Sequence, residues 1–225
     1  MTVFIPNLKI CGITTPETAR FCAEAGAGAL GVIFFAKSPR YVTPDRARQL
    51  FEDVPDRVAR VGVFVDLPPE EMIGIARAAK LDTVQMHGSE PLEAVQAALE
   101  AGFTVVKVLK CTGKNLMASA RALPQEVEIL VECGRGTLPG GNGAVWNWAD
   151  AAPLADLRPF AVAGGLTPQN LAEAARLSRA TAWDVSSGVE RAPGVKDHAA
   201  VLELVKNAQP LGQASHTHFW KGIHE

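Results

Sequence analysis

The 225-residue sequence predicts a single (β/α)₈ barrel, and three observations carry that reading. Strand-like and helix-like segments alternate along the chain, eight of the first and about eight of the second, as in a parallel sheet wrapped by helices. The first strand-like run ends on a cysteine, Cys11, and barrels of this type carry their reactive groups at the carboxyl ends of strands. Glycine-bearing segments, Ala163-Gly164-Gly165-Leu166 and Asp184-Val185-Ser186-Ser187-Gly188, accompany the last two runs, where such barrels hold phosphate. A doubly wound open sheet is the alternative topology.

Each element has a local reason. Asn7 to Cys11 reads as the first strand, and Thr15 ahead of Pro16 starts a helix to Ala25, because proline suits the first helical position. Ala29 to Phe35 is almost continuously apolar, as a parallel strand buried on both faces should be. Thr43-Pro44-Asp45 opens a helix to about Glu52, Val58 to Val65 is the third strand, and Pro68-Pro69-Glu70 starts the third helix. Thr83 to Met86, the helix Pro91 to Ala101, Phe103 to Leu109 and a weaker helical stretch from Lys114 to Leu123 follow. Val127 to Val131, Phe160 to Val162 and Thr181 to Val185 complete the strands. The helix Pro168 to Leu177 lies between the last two, and Asp197 to Ala208 closes a domain of residues 1–208.

Two segments break the alternation. Cys133 to Val145 is a long glycine-rich connection, expected to be a mobile lid on the face that carries the site. Residues 209–225 lack periodicity and are expected to form a poorly ordered tail; they hold three of the five histidines, His216 and His218 among them, and receive no chemistry.

Composition narrows the function. A chain of this length with 48% hydrophobic residues can bury one substantial core. The net charge of -2, without runs of one sign, offers no footprint for nucleic acid or an anionic membrane, and leaves a small neutral or anionic ligand as the partner. No uncharged apolar stretch of about 18 residues and no signal-peptide pattern is present, so a cytoplasmic protein is expected. Cys11, Cys22, Cys111 and Cys133 show no CxxC spacing and read as free thiols. Nothing in the sequence chooses between monomer and homodimer.

Cys11 is followed by Gly12 and Thr14, which puts its thiol at a strand end facing loops, where it can serve as nucleophile or base; Cys22, in a helix, reads as core, and Cys111 and Cys133, also at strand ends, are not excluded by position. His87 follows the fourth strand, Lys107 lies within the fifth, Glu132 ends the sixth and Asp184 ends the eighth. A partly desolvated carboxyl group at such a position can donate a proton, so a thiolate and an acid on different strands make a proton-transfer pair. Gly164, Gly165, Ser186, Ser187 and Gly188 can present backbone N–H groups to a phosphate without a metal.

From about Leu8 to Ala208 the chain resembles the phosphoribosylanthranilate isomerase family of tryptophan biosynthesis. The resemblance rests on Lys9-Ile10-Cys11-Gly12-Ile13-Thr14, Ser38-Pro39-Arg40-Tyr41-Val42, Val61-Gly62-Val63-Phe64-Val65, Gln85-Met86-His87-Gly88, Pro139-Gly140-Gly141-Asn142-Gly143, Gly164-Gly165-Leu166 and Asp184-Val185-Ser186-Ser187-Gly188-Val189-Glu190. It implies a barrel that uses no cofactor and no metal and performs an Amadori rearrangement of N-(5-phosphoribosyl)anthranilate to the 1-deoxyribulose 5-phosphate product. Cys11 matches the family's general base, and Glu132 stands where the family has an aspartate as general acid. The acid protonates the furanose ring oxygen as the ring opens to a Schiff base, and the base removes the C2 proton to give an enolamine that ketonises. Arg40 matches the arginine that pairs with the anthranilate carboxylate, His87 and Asp184 match residues lining the substrate, and Gly165, Ser186, Ser187 and Gly188 match the phosphate loops.

Glutamate is one methylene longer than aspartate, and a displacement of about 1 Å can cost about 10²-fold in rate. A register placing Cys133 at the acid position is the alternative, though Ile129-Leu130-Val131 favours Glu132. Two other functions stay open: a barrel enzyme acting on another phosphorylated sugar, including an indole-glycerol-phosphate synthase, and a binding protein that kept the phosphate loops and lost turnover.

Overall fold

The structure, a computed structural model, describes residues 4–111, 115–133, 146–212 and 219–220. Eight parallel strands close on themselves in chain order, which rules out the open sheet: β1 (Ile5–Cys11), β2 (Ala27–Ile33), β3 (Ala59–Phe64), β4 (Thr83–Met86), β5 (Thr104–Cys111), β6 (Glu128–Cys133), β7 (Ala161–Ala163) and β8 (Ala182–Val185). Closure is made by β8 pairing with β1, with Lys9 opposite Asp184.

Among the described residues seven α-helices surround the strands: α1 (Pro16–Ala25), α2 (Pro44–Leu50), α3 (Pro69–Ala78), α4 (Leu92–Glu100), α5 (Leu116–Ala122), α6 (Leu171–Ser178) and α7 (His198–Gly212). A 3₁₀ segment, Trp148–Asp156, stands after β6 in place of an eighth. Proline stands at the start of α1, α2 and α3 as expected, and a preceding threonine caps the first two. Thr15 Oγ1 accepts the Thr18 N–H at 3.2 Å, and Thr43 Oγ1 accepts that of Arg46 at 3.2 Å, each satisfying a donor left orphaned at a helix start. The sixth helix begins at Leu171, after the anticipated Pro168, because Asn170 Oδ1 takes the Thr167 N–H at 2.7 Å and holds Thr167–Asn170 as a turn. One hairpin was not anticipated: β9 (Glu190–Ala192) and β10 (Val195–Lys196) run antiparallel directly after β8.

Strand alternation divides the apolar residues between two cores, which explains the continuous apolar runs. Leu8, Ile10, Leu30, Val32, Val84, Ile129, Val162 and Trp183 face the helices, while Ala29, Ala59, Val61, Val106, Leu130, Ala161 and Ala182 face the barrel axis. The inner core also contains Phe219 and Trp220, each 3% exposed. Two residues of the segment expected to be a poorly ordered tail are therefore barrel core, and α7 runs past Ala208 to Gly212. The anticipated lid falls almost wholly on residues 134–145, outside the described residues, as does the 139–143 motif.

Leu8 is fully buried between β1 and the helix layer. Leu8→Ala is expected to lower unfolding free energy by about 2–5 kcal/mol, read as a shifted urea midpoint at unchanged slope.

Candidate active site

The polar residues singled out in the sequence gather at the carboxyl ends of the strands. Cys11 is the last residue of β1, Glu132 is next to last in β6, Asp184 is next to last in β8, and His87 follows β4. Residues two apart share a face of a strand, so Asn7, Lys9 and Cys11 all point toward the axis. Gly31 on β2 makes room for them. A Cβ there would lie 2.8 Å from Cys11 Sγ, 2.9 Å from Lys9 Cε and 3.1 Å from Lys9 Nζ, so sulfur and ammonium sit side by side over this glycine.

Lys9 is fully buried and donates to Asp184 Oδ2 at 2.8 Å. Burial alone would lower the ammonium's pKa, but the charge and hydrogen bond of the Asp184 carboxylate outweigh it and hold Lys9 above its ordinary value. For Cys11 the balance is the reverse. Burial pushes its thiol up, and the Lys9 and Lys196 charges offset this only in part, so the resting group is a thiol. Asp184 Oδ1 is buried and has no hydrogen-bond partner among the described residues.

Glu132 and His87 form one unit. His87 Nε2 lies 2.8 Å from Glu132 Oε1, both side chains are buried, and Gln85 Nε2 approaches His87 Nδ1 at 3.4 Å. The longer glutamate arm is thus held against the imidazole inside the barrel mouth. Cys133, the next residue, falls on the opposite strand face, half-buried and in register with Cys111 on β5. The inward register therefore belongs to Glu132.

Arg40 is already engaged. Its Nε and Nη2 donate to Glu190 at 2.9 and 2.7 Å, and Glu190 also accepts from Lys196 Nζ at 2.8 Å. Burial works against the Glu190 charge, but hydrogen bonds and charge from Arg40 and Lys196 more than offset it and keep the carboxyl below its usual range. Lys196 in turn donates to Ser186 O at 3.1 Å, tying the hairpin to the loop after β8. Gly12 permits this arrangement: its φ is +79°, and a Cβ would lie 2.6 Å from Arg40 Cδ and 3.1 Å from Ser186 Oγ.

The two glycine-bearing loops meet as the sequence suggests. Gly164 and Gly165 both have positive φ, and a Cβ on Gly188 would overlap the Leu166 carbonyl oxygen, so the loops after β7 and β8 pack backbone against backbone. Ser187–Val189 forms a 3₁₀ turn, Ser186 Oγ donates to Cys11 O at 3.1 Å, and Asn170 Nδ2 donates to Gly165 O at 2.8 Å. Trp146 closes the loop after β7 by donating to Ala163 O at 2.9 Å. Lys107, by contrast, is consumed in a buried pair with Glu90 at 2.6 Å and a bond to Gly88 O at 2.8 Å, bracing the loop after β4.

Lys9, Glu190, Lys196 and Asn170 take no role in the sequence reading. Lys9 had a signal, since it alternates with Cys11 on one strand face, whereas Glu190 and Lys196 reach Arg40 only through a hairpin that the sequence did not announce. Among the described residues no group of three or more His, Cys, Asp or Glu side chains is arranged to hold a metal ion, and no helix is long and apolar enough to cross a membrane.

Comparison with known proteins points one way. The profile of the N-(5'phosphoribosyl)anthranilate (PRA) isomerase family matches residues 8–207. The N-(5'-phosphoribosyl)anthranilate isomerase of Thermotoga maritima is 40% identical over 208 residues, covering 91% of this chain and 99% of that protein. That of Paramagnetospirillum magneticum is 41% identical over 208 residues, covering 90% and 97%. Among solved structures, a phosphoribosyl anthranilate isomerase in complex with reduced 1-(o-carboxyphenylamino)-1-deoxyribulose 5-phosphate superposes with a TM-score of 0.81 at 37% identity, covering 91% and 98%. The Thermus thermophilus phosphoribosyl anthranilate isomerase gives 0.83 at 36% identity, covering 91% and 99%.

Because burial raises the Cys11 pKa, its thiolate fraction is small at neutrality and grows with pH. Alkylation of Cys11 by iodoacetamide, followed by peptide mass spectrometry, is expected to quicken about tenfold per pH unit without levelling off below about pH 9. A plateau near neutrality would contradict this balance.

Proposed function

The chain belongs to the N-(5'-phosphoribosyl)anthranilate isomerase family, and from that premise we propose how its own residues divide the chemistry. It is an isomerase of tryptophan biosynthesis that converts N-(5'-phosphoribosyl)anthranilate to 1-(2-carboxyphenylamino)-1-deoxyribulose 5-phosphate. The observation that carries the assignment of roles is the inward pair at the barrel mouth: Cys11 on β1 beside Lys9, and Glu132 on β6 held by His87.

Glu132 is the general acid. It donates its proton to the furanose ring oxygen as the C1–O bond breaks and the anilino nitrogen's lone pair forms the Schiff base. His87 holds the carboxyl group at 2.8 Å and so absorbs the reach of the extra methylene. Cys11 is the general base: as thiolate it removes the C2 proton, the electron pair moves into the C1–C2 bond, and the resulting enolamine ketonises. The Lys9 ammonium beside it favours the charge that Cys11 must carry before it can accept that proton.

Binding follows the same division. Asp184 Oδ1, buried and unpartnered among the described residues, is suited to accept a sugar hydroxyl. Gly164, Gly165, Ser186, Ser187 and Gly188 cradle the phosphate with backbone N–H groups, the serine hydroxyls adding donors. Arg40 receives the anthranilate carboxylate. Since Glu190 occupies Nε and Nη2, this contact is made from Nη1, and Glu190 serves to fix the plane of the guanidinium. Four free thiols accord with a cytoplasmic setting.

Freshly generated phosphoribosylanthranilate, followed by its fluorescence, tests the reading directly. The protein is expected to consume it at the same rate with and without chelator. Cys11→Ala and Glu132→Ala are each expected to lose about 10²–10⁴-fold in kcat, with Glu132→Asp retaining more activity than Glu132→Ala. Phosphate-competitive binding of the product without turnover would instead favour a binding protein, and full activity in either alanine variant would move that role to another residue.

A further inference from the structure

The floor of this site is built by residues outside the family match. The match ends at residue 207, yet Phe219 and Trp220 lie inside the barrel. Asn7 fixes their level: it sits near the start of β1, the end away from Cys11, and its Oδ1 accepts the Phe219 N–H at 2.9 Å. Beside Val61, Val106 and Leu130, part of the inner wall carries small side chains, Ala29, Ala59, Ala161 and Ala182, where barrels of this type are filled by bulky branched ones. The two rings occupy that space edge to face, with centroids 4.7 Å apart at 76°.

The Trp220 ring also meets the catalytic layer. Its centroid lies 5.4 Å from Lys9 Nζ, within the range at which a ring face attracts an ammonium. Lys9 Nζ is the group that bonds Asp184 Oδ2 and lies beside Cys11 Sγ over Gly31. Trp220 Nε1 is buried without a hydrogen-bond partner among the described residues, and the ring turns its face toward Lys9. In vertical order the axis carries Phe219 beside Asn7, then Trp220 under Lys9, then Cys11 at the mouth.

We propose that Trp220 is a positioning residue for the isomerisation: its ring closes the barrel beneath Lys9, keeps water from the ammonium, and holds Lys9 toward Cys11 and Asp184. This rests on Cys11 being the base. Phe219 seats Trp220 through the Asn7 bond and the ring pair. The consequence is that this chain completes its site with a segment from beyond the shared barrel, filling from below the space its own alanines leave.

The test compares the full-length protein with Trp220→Leu, which keeps much of the volume without an aromatic face, and Trp220→Phe, which keeps a ring. Three quantities are read: thermal midpoint, kcat against KM, and the pH dependence of Cys11 alkylation followed by peptide mass spectrometry. In Trp220→Leu, kcat is expected to fall about tenfold with KM within about twofold, because Asp184 keeps its place on β8 and the loss falls on the base. The alkylation profile is expected to move up by about half a pH unit or more, because Lys9 is the nearest charge favouring the thiolate. Trp220→Phe should recover most of both effects. A Trp220→Leu protein that is folded at the assay temperature, with native kcat and an unmoved profile, would overturn the proposal and leave Trp220 as packing alone. A downward shift would overturn it too, since the ring would then only be drying the thiol. Should Trp220→Leu not fold, Trp220→Met, which also lacks an aromatic face, is read in its place against the same two outcomes. The base assignment fails separately: Cys11→Ser with full turnover would sink that reading, while the alkylation shift would still report on Lys9.

Discussion

A fully buried lysine is the constraint around which this barrel is organised. Removing an ammonium from water is costly unless a counter-charge and hydrogen bonds replace what is lost, and breaking such a pair typically costs about 3–5 kcal/mol. Lys9 finds its counter-charge in Asp184, its register partner across the β1–β8 junction. The pair therefore forms only when the first and last strands meet, and closure of the barrel and neutralisation of the charge are a single event. Gly31 clears the space for the lysine, and Trp220 covers it from below.

From that pair the electrostatics of the mouth follow. Cys11 is a buried thiol whose ionisation is opposed by desolvation and by Asp184, and aided by Lys9 and Lys196. Its reactivity is thus set first by its burial and then by charges on β1, β8 and the hairpin. A second cluster, Arg40 with Glu190 and Lys196, works the same way, holding a guanidinium in one orientation. The Glu132–His87 pair is a third. Each cluster joins elements distant in sequence, so each exists only in the closed fold.

Glycine performs two distinct tasks here. At Gly12 and Gly164-Gly165 the backbone takes positive φ, turning sharply out of a strand end. At Gly31 and Gly188 the need is space, in one case for a lysine and a thiol, in the other for the Leu166 carbonyl of the neighbouring loop. The loops after β7 and β8 are juxtaposed because one of them has no side chain at the point of contact.

The strands, their order and the residues at their carboxyl ends were legible in the sequence because barrel topology follows from local patterns: apolar runs, proline after a threonine cap, glycine after a strand. Cys11, Glu132, His87 and Asp184 were placed at one face by counting strands alone, and the family motifs named Arg40. What the sequence did not disclose depends on contacts between residues far apart along the chain. The Arg40–Glu190 pairing needs the β9–β10 hairpin, the Glu132–His87 bond needs β4 and β6 to lie around one axis, and the burial of Phe219 and Trp220 in a segment without periodicity needs the hollow left by four alanines. Periodicity records which face of an element is apolar, and that determined the barrel and the rim of its site. Which charge meets which partner, and what fills the floor, is decided by the desolvation and packing that only the closed barrel imposes.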